Sequence, residues 1–189
     1  MNLMTRNRVQ VVILASGGID STALIDFYLR RKYTIKCIHF QYGQASAKSE
    51  RSAFEKITRF FKVEKAIIDL GFSIRKRKEE AICRNALFVF AASSIIPQPE
   101  RISIGIHAGS SYYDSTRLFV KDCQRILDGY FSGTVRVEAP FIDLTKLDIV
   151  NYCKNYGVPI NLTYSCHRKN YPPCGKCNSC LDRKKFYGE

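Results

Sequence analysis

Ser16-Gly17-Gly18-Ile19-Asp20-Ser21 follows the apolar run Val11-Val12-Ile13-Leu14 and leads into a helical pattern over residues 21–31. A buried strand therefore ends in a glycine turn, and a helix begins at once. Two adjacent glycines let the chain turn tightly and leave no Cβ in the way of a ligand. The first helical amides lack intrahelical partners and sit at the positive end of the helix dipole. Together they form an anion site suited to phosphate or pyrophosphate. The hydroxyls of Ser16, Ser21 and Thr22 can add donors. Asp20 is out of place beside an anion unless it caps the helix or holds a metal that bridges phosphates. A capped helix after a glycine turn is the plainer alternative. The position, between a buried strand and an amphipathic helix, favours the anion.

The rest of the chain repeats this alternation. Strands are expected over 34–41, 63–70, 102–106 and 134–139, after a first strand over 9–15. Helices are expected over 47–61, where Ala53, Phe54, Ile57, Phe60 and Phe61 recur at helical spacing, and over 85–96, 115–129 and 145–156. Thr145 and Asp148 have the spacing of a capping pair, and Gly157 closes the last helix. Residues 71–81 are polar and hold the charged run Arg75-Lys76-Arg77-Lys78-Glu79-Glu80. The pattern predicts an α/β fold: a doubly wound, five-stranded parallel sheet with right-handed crossovers. Ligands then bind beyond the carboxyl ends of the strands, where strand order reverses. The glycine loop, Tyr42-Gly43-Gln44 and residues 107–114 all belong there. Residues 1–164 read as the nucleotide domain and residues 165–189 as a tail within the same structural unit.

With 189 residues and 46% hydrophobic content, the chain can bury a real core and has no run of membrane-spanning length. Arg6 and Arg8 ahead of the first apolar run faintly resemble a secretory leader. That run is too short, and a first strand in a cytoplasmic protein is the better reading. A net charge of +13 favours anionic partners such as ATP, nucleic acid (tRNA included) or an acidic protein, with a solvated basic surface as the plainer alternative.

The tail reads Cys166-x7-Cys174-x2-Cys177-x2-Cys180. Thiolates two residues apart converge on one tetrahedral ion, and four of them make a closed, structural Zn²⁺ site. Disulfides or a redox pair are the alternatives. The metal would fold a segment with too little apolar content to fold alone. Cys37, Cys123 and Cys153 read as core filler, whereas Cys83 lies beside a suspected site.

Ser16 to Ser21 resembles the SGGxDS signature of the PP-loop ATP pyrophosphatases, and no GxxxxGK[ST] of the Walker type occurs. Taken with the cysteine tail, nearly the whole chain resembles the 7-cyano-7-deazaguanine synthase family. The likeness runs through Tyr42-Gly43-Gln44 with Glu50, Arg84 to Phe88, Gly105 to Ala108, Asp114, Pro140 to Lys146, Gly157 to Pro159 and Leu162 to Cys180. It implies a C–N ligase that uses ATP, Mg²⁺ and ammonia to turn 7-carboxy-7-deazaguanine into the nitrile, and it implies a homodimer. Ser16, Asp20, Ser21 and Arg84 are the expected catalytic residues. ATP is expected along Leu14, Ala15, Ser16, Gly17, Gly18, Ile19, Asp20, Ser21 and Thr22, with His39 and Gly105. The deazapurine is expected at Tyr42, Gln44, Arg84, Asn85, Tyr112, Asp114 and Lys146. Each has a plainer role: Asn85 as a helix cap, Lys146 as a solvated first-turn lysine, His39 as a core histidine.

The sequence departs from the family where the substrate should be read. Residues 70–84 are short and basic, Ser46 stands for a histidine, and the loop after the fourth strand is abbreviated, with Ser115-Thr116-Arg117-Leu118 in place of a more polar stretch. An open mouth suits a larger acceptor. Two further readings follow: a relative within an antiviral defence system that joins a deazapurine to a protein partner, and a PP-loop enzyme acting on tRNA.

Overall fold

A computed structural model describes residues 9–77 and 80–187. Arg6, Arg8 and the Lys78-Glu79 part of the charged run lie outside them. Five parallel strands form the sheet: β1 (Val11–Leu14), β2 (Ile35–Gln41), β3 (Glu64–Asp69), β6 (Arg101–Ile104) and β7 (Arg136–Glu138), in the order β3-β2-β1-β6-β7. Two residues each of β4 (Lys76–Arg77) and β5 (Glu80–Ala81) pair as a small antiparallel hairpin. It lies in the segment expected to be an irregular polar loop.

β1 is apolar at every position because both its faces are covered. Val11 and Ile13 pack toward α1 (Ile19–Arg30), α2 (Ala47–Phe61) and α5 (Lys146–Tyr156). Val12 and Leu14 pack toward α3 (Arg84–Ile95) and α4 (Arg117–Phe131). Leu14 lies in register with Ile38 of β2 on one side and Ile104 of β6 on the other. The chain leaves β1 for β2 on one side and reaches β6 on the other, so the strand order reverses beside β1. The glycine loop opens into that crevice.

Several expectations shift by local chemistry. α2 has the expected bounds, but Phe60 of its apolar stripe is 54% exposed. The cap of α3 is Cys83, in the left-handed region at φ 57°, and not Asn85. α4 starts at Arg117 because the Thr116 hydroxyl accepts a hydrogen bond from the Phe119 N–H at 3.1 Å. A single 3-10 turn, Tyr113–Ser115, precedes it. α5 has the expected capping box: Thr145 and Asp148 satisfy each other's backbone N–H groups, and Gly157 closes the helix at φ 69°. Such a box stabilises a helix by about 1 kcal/mol. A final helix, α6 (Asn178–Tyr187), was not foreseen. No helix among the described residues is long and apolar enough to cross a membrane.

Candidate active site

A cavity of about 340 Å³ lies over the carboxyl ends of β1, β2 and β6. Its floor is the glycine loop. Gly18 is the cap residue of α1, and no side chain caps the helix. The first intrahelical bond runs from the Thr22 N–H to the Gly18 carbonyl, which leaves the amides of Ile19, Asp20 and Ser21 ahead of it. The hydroxyls of Ser21 and Thr22 both donate back to the Gly18 carbonyl, at 3.1 and 2.8 Å. Ser16 Oγ accepts from the Gly18 N–H at 3.2 Å.

The two glycines serve different ends. Gly17 has φ +84°, and a Cβ there would lie 2.7 Å from the Glu50 carbonyl oxygen of α2. Its missing side chain makes room for a helix, not for a ligand. Gly18 faces the cavity. Gly105, after β6, lets the start of α1 close in: a Cβ there would be 3.0 Å from the Ser21 nitrogen. Asp20 does not cap α1. Both its carboxylate oxygens accept from Lys146 Nζ, at 2.6 and 2.8 Å.

At the mouth, Arg84 Nε donates to Asn85 Oδ1 at 3.3 Å, and Asn85 Nδ2 donates to the Asp114 carbonyl at 3.2 Å. Burial raises the Asp114 carboxyl above its usual range, against the pull of the Arg84 charge. Burial likewise raises the Tyr42 phenol, again opposed by Arg84. Tyr112 and Phe88 complete this side. Gln44 is not on the cavity wall. It is buried, accepts from the Tyr42 N–H at 2.8 Å and donates to Glu50 Oε2 at 3.0 Å, so it braces the β2–α2 turn.

His39 lines the cavity from β2 and stacks on Phe54 with ring centroids 5.2 Å apart. Its Nδ1 meets the Ala15 carbonyl at 3.0 Å. A carbonyl only accepts, so Nδ1 carries the proton and Nε2 keeps a lone pair with no partner among the described residues. Burial lowers the ring's pKa, although the Ala15 bond and Glu50 pull it upward.

The four tail thiols lie with every sulfur within 4.8 Å of the others. Cys177 and Cys180 Sγ are 3.5 Å apart, and Cys174 and Cys180 Sγ are 3.9 Å apart. A tetrahedral zinc thiolate with bonds of about 2.3 Å needs sulfur separations of about 3.8 Å, so the donor set fits. Burial pushes the Cys166 thiol up. The N–H groups of Cys174, Arg168 and Lys169 outweigh it and bring the pKa to about 6. Held this way, the sulfur is a ready thiolate ligand. Cys37, Cys123 and Cys153 are buried, as expected of core residues, and Cys83 is exposed, next to Arg84 of the cavity wall.

The tail does more than end the chain. Tyr164, Ser165, His167 and, from α6, Ser179, Asp182 and Tyr187 form one wall of the cavity. None of these is expected from sequence to touch nucleotide or acceptor; His167 reads there only as a substitute for one of the four thiols at the metal.

The profile described as "Queuosine biosynthesis protein QueC" matches residues 10–85 and 76–189. The chain belongs to the QueC family. Its 7-cyano-7-deazaguanine synthase relative from Campylobacter jejuni is 31% identical, over 94% of this chain and 93% of its own length. The synthase of Archaeoglobus fulgidus is 30% identical, over 95% and 86%. Among solved structures, a tRNA methyltransferase subunit from Methanocaldococcus jannaschii aligns with TM-score 0.55 at 13% identity, over 77% of this chain and 75% of that one. The NH3-dependent NAD synthetase of Campylobacter jejuni aligns with TM-score 0.51 at 17% identity, over 82% and 67%. These two share the fold.

The QueC profile matches in two pieces that share residues 76–85, the hairpin and the start of α3. The Campylobacter alignment needs 209 positions for a chain of 189 residues. The break thus falls on the segment that reads as short in the sequence. Of the residues expected at the site, Leu14, Ala15, Ser16, Gly18, Ile19, Asp20, Ser21, His39, Tyr42, Arg84, Asn85, Gly105, Tyr112, Asp114 and Lys146 line one cavity. Gly17, Thr22 and Gln44 stand behind it as supports.

Proposed function

We propose that this QueC-family enzyme is an ATP-dependent C–N ligase acting on a 7-carboxy-7-deazaguanine-type acceptor with ammonia. The acceptor carboxylate attacks the α phosphorus of ATP, giving an acyl adenylate and pyrophosphate. Ammonia displaces AMP and leaves the amide. A second adenylation, on the amide oxygen, then lets AMP depart as the nitrile forms. In this reading the amides of Ile19, Asp20 and Ser21, with the Ser16 and Ser21 hydroxyls, carry the phosphates. Leu14, Ala15, His39 and Gly105 flank the nucleoside. Arg84, Tyr42, Asn85, Tyr112 and Asp114 receive the acceptor, and Lys146 stands between the two groups. The protein's task is alignment and charge stabilisation, so no nucleophilic side chain is required. Mg²⁺ as the nucleotide's counter-ion near Asp20, Zn²⁺ in the tail, residues 165–189 as a tail of one unit with residues 1–164, a homodimer and a cytoplasmic setting complete the reading.

The observation that carries it is the uncapped start of α1 opening into the cavity at the strand reversal. The test is release of AMP and pyrophosphate dependent on 7-carboxy-7-deazaguanine and ammonia, with the nitrile identified by mass. AMP no higher than without acceptor would reject it.

A second reading has one observation in its favour: the family match breaks at the shortened rim of the mouth. A deazapurine joined to a protein partner would suit that rim. Co-expression with neighbouring gene products and intact-mass analysis would reveal the adduct, and unmodified partners would dismiss it.

A further inference from the structure

We propose that the four-cysteine metal centre and the phosphate loop are one coupled unit: loading the metal tightens nucleotide binding, and nucleotide tightens the metal. The proposal rests on the assignment of the loop to ATP.

Three ties carry it. The Tyr164 N–H donates to the Gly17 carbonyl at 2.9 Å, and Cys166 follows two residues later. The Tyr164 side chain packs against the cysteine cluster, and its hydroxyl donates to the Lys169 carbonyl at 2.7 Å. This residue therefore touches the metal centre with its side chain and the loop with its backbone. The second tie runs through α2. The Ser49 N–H donates to Asn170 Oδ1 at 2.9 Å, and the Tyr171 N–H donates to Ser49 Oγ at 2.8 Å. The neighbouring Glu50 carbonyl is the group that Gly17 packs against. The third tie is α6, which starts between Cys177 and Cys180 and brings Ser179, Asp182 and Tyr187 to the cavity. Arg183 anchors it on the Thr163 carbonyl and hydroxyl at 3.2 and 3.0 Å.

The tail's buried cluster consists of three cysteines, joined by Tyr164 and Cys174. That is too little apolar surface to order residues 166–180, which therefore depend on the ion that the sulfurs share, whereas the Tyr164 ring and, from α6, Phe186 and Tyr187 also pack on the core of the sheet. The two clusters that flank the sheet contain none of the four ligand cysteines. Losing the metal thus loosens the support of the donor on Gly17 and of one cavity wall while the sheet keeps its core. A centre that merely fastened the chain end would leave the loop untouched. Coupling between binding sites is reciprocal, so the two affinities must change by one factor.

The experiment uses zinc and α,β-methylene-ATP, whose bridge resists cleavage, supplied as its magnesium complex so that it does not sequester zinc. The analogue is titrated calorimetrically into zinc-loaded and chelator-stripped protein. Zinc affinity is then measured by competition with a chromophoric chelator, with and without the analogue. The expected result is an analogue Kd at least about tenfold weaker after stripping, restored by added zinc, and a matching gain in zinc affinity when the analogue is bound. Tyr164→Pro, which removes the first of the three ties and keeps all four cysteines, should bind zinc with an affinity clearly less responsive to the analogue than that of the wild type. Equal analogue affinity with and without zinc overturns the coupling alone. If the stripped protein unfolds, the zinc competition starts from loaded protein and decides by itself: unchanged zinc affinity overturns the proposal. No binding of the analogue to loaded protein overturns both the coupling and the assignment of the loop to ATP.

Discussion

The proposed phosphate end of the cavity is framed by backbone: Gly17 against the Glu50 carbonyl, Gly105 against the Ser21 nitrogen, and the uncapped amides at the start of α1. The mouth is framed by side chains. Tyr42 comes from the connection after β2, Arg84 and Asn85 from the end of the connection into α3 and its first helical turn, and Tyr112 and Asp114 from the connection after β6. One of those connections lies at the break in the family match. Backbone geometry tolerates little change, because any added atom meets main chain. Side chains on loops can be exchanged one at a time. On the proposed function, the fold fixes how ATP is held and leaves the acceptor to the loops.

The sharpest way to break this contrast is Gly17→Ala. A residue at φ +84° with its Cβ 2.7 Å from a carbonyl oxygen must move either the loop or α2. The left-handed conformation and the overlap together cost on the order of 3 kcal/mol. Thermal melts should show that loss, and ATP binding should disappear. A variant with wild-type stability would mean that the loop is softer than its packing implies.

Next in size is the Lys146–Asp20 pair, with side chains only 18% and 24% exposed. Lys146→Met leaves a half-buried carboxylate beside incoming phosphate. Pyrophosphate release should fall roughly 10²-fold, as when one charge-stabilising donor is removed from an active site. Because the two residues share one interaction, Asp20→Asn in the Lys146→Met background should add little further loss. Fully additive losses would show that they act separately.

The same contrast explains what the sequence reveals. The phosphate loop is contiguous, so one strand, one turn and one helix start announce it within a dozen residues. The cysteine spacing is likewise local. The mouth assembles from segments far apart in the chain, so Arg84, Tyr112 and Asp114 rest on family likeness and not on any pattern of their own. Gln44 misleads because a polar residue in a loop is indistinguishable from a brace until its partners are known. α6 is invisible because Asn178 to Tyr187 is mostly polar and carries few apolar residues to bury; its order comes from the ligand cysteines beside it, from Arg183 and from Phe186 and Tyr187 at its end, which reach the core. The cavity wall built by the tail is hidden for that reason.

At the mouth, Arg84→Ala tests whether the acceptor is read by exchangeable side chains. Charge-assisted hydrogen bonds contribute about 1.5–3 kcal/mol, so the acceptor KM should rise about 10- to 100-fold. The Kd for ATP should stay within about twofold. Arg84→Lys should recover part of the loss, since it keeps the charge without the fork. A comparable loss of ATP affinity would place Arg84 at the phosphate end and erase the distinction between the two regions.

The smallest effect concerns His39, which stands where the two regions meet. Its pKa in the folded chain is lowered from the ordinary value of 6.5, chiefly by burial. The folded state therefore prefers the neutral ring, and between the lowered pKa and 6.5 the unfolded chain binds more protons. Stability then rises with pH across that window. It is fully present above 6.5 and is lost as pH falls toward the folded value. Glu50 and Glu55 favour the charged ring and Arg51 opposes it, so these neighbours trim the effect without reversing it. Urea midpoints at pH 7.5 and 5.5 should differ more for wild type than for His39→Gln, which keeps an amide donor for the Ala15 carbonyl but does not titrate. Equal pH slopes in the two proteins would mean that a proton reaches the ring at no cost, and that this wall of the cavity is open to water rather than sealed against Phe54.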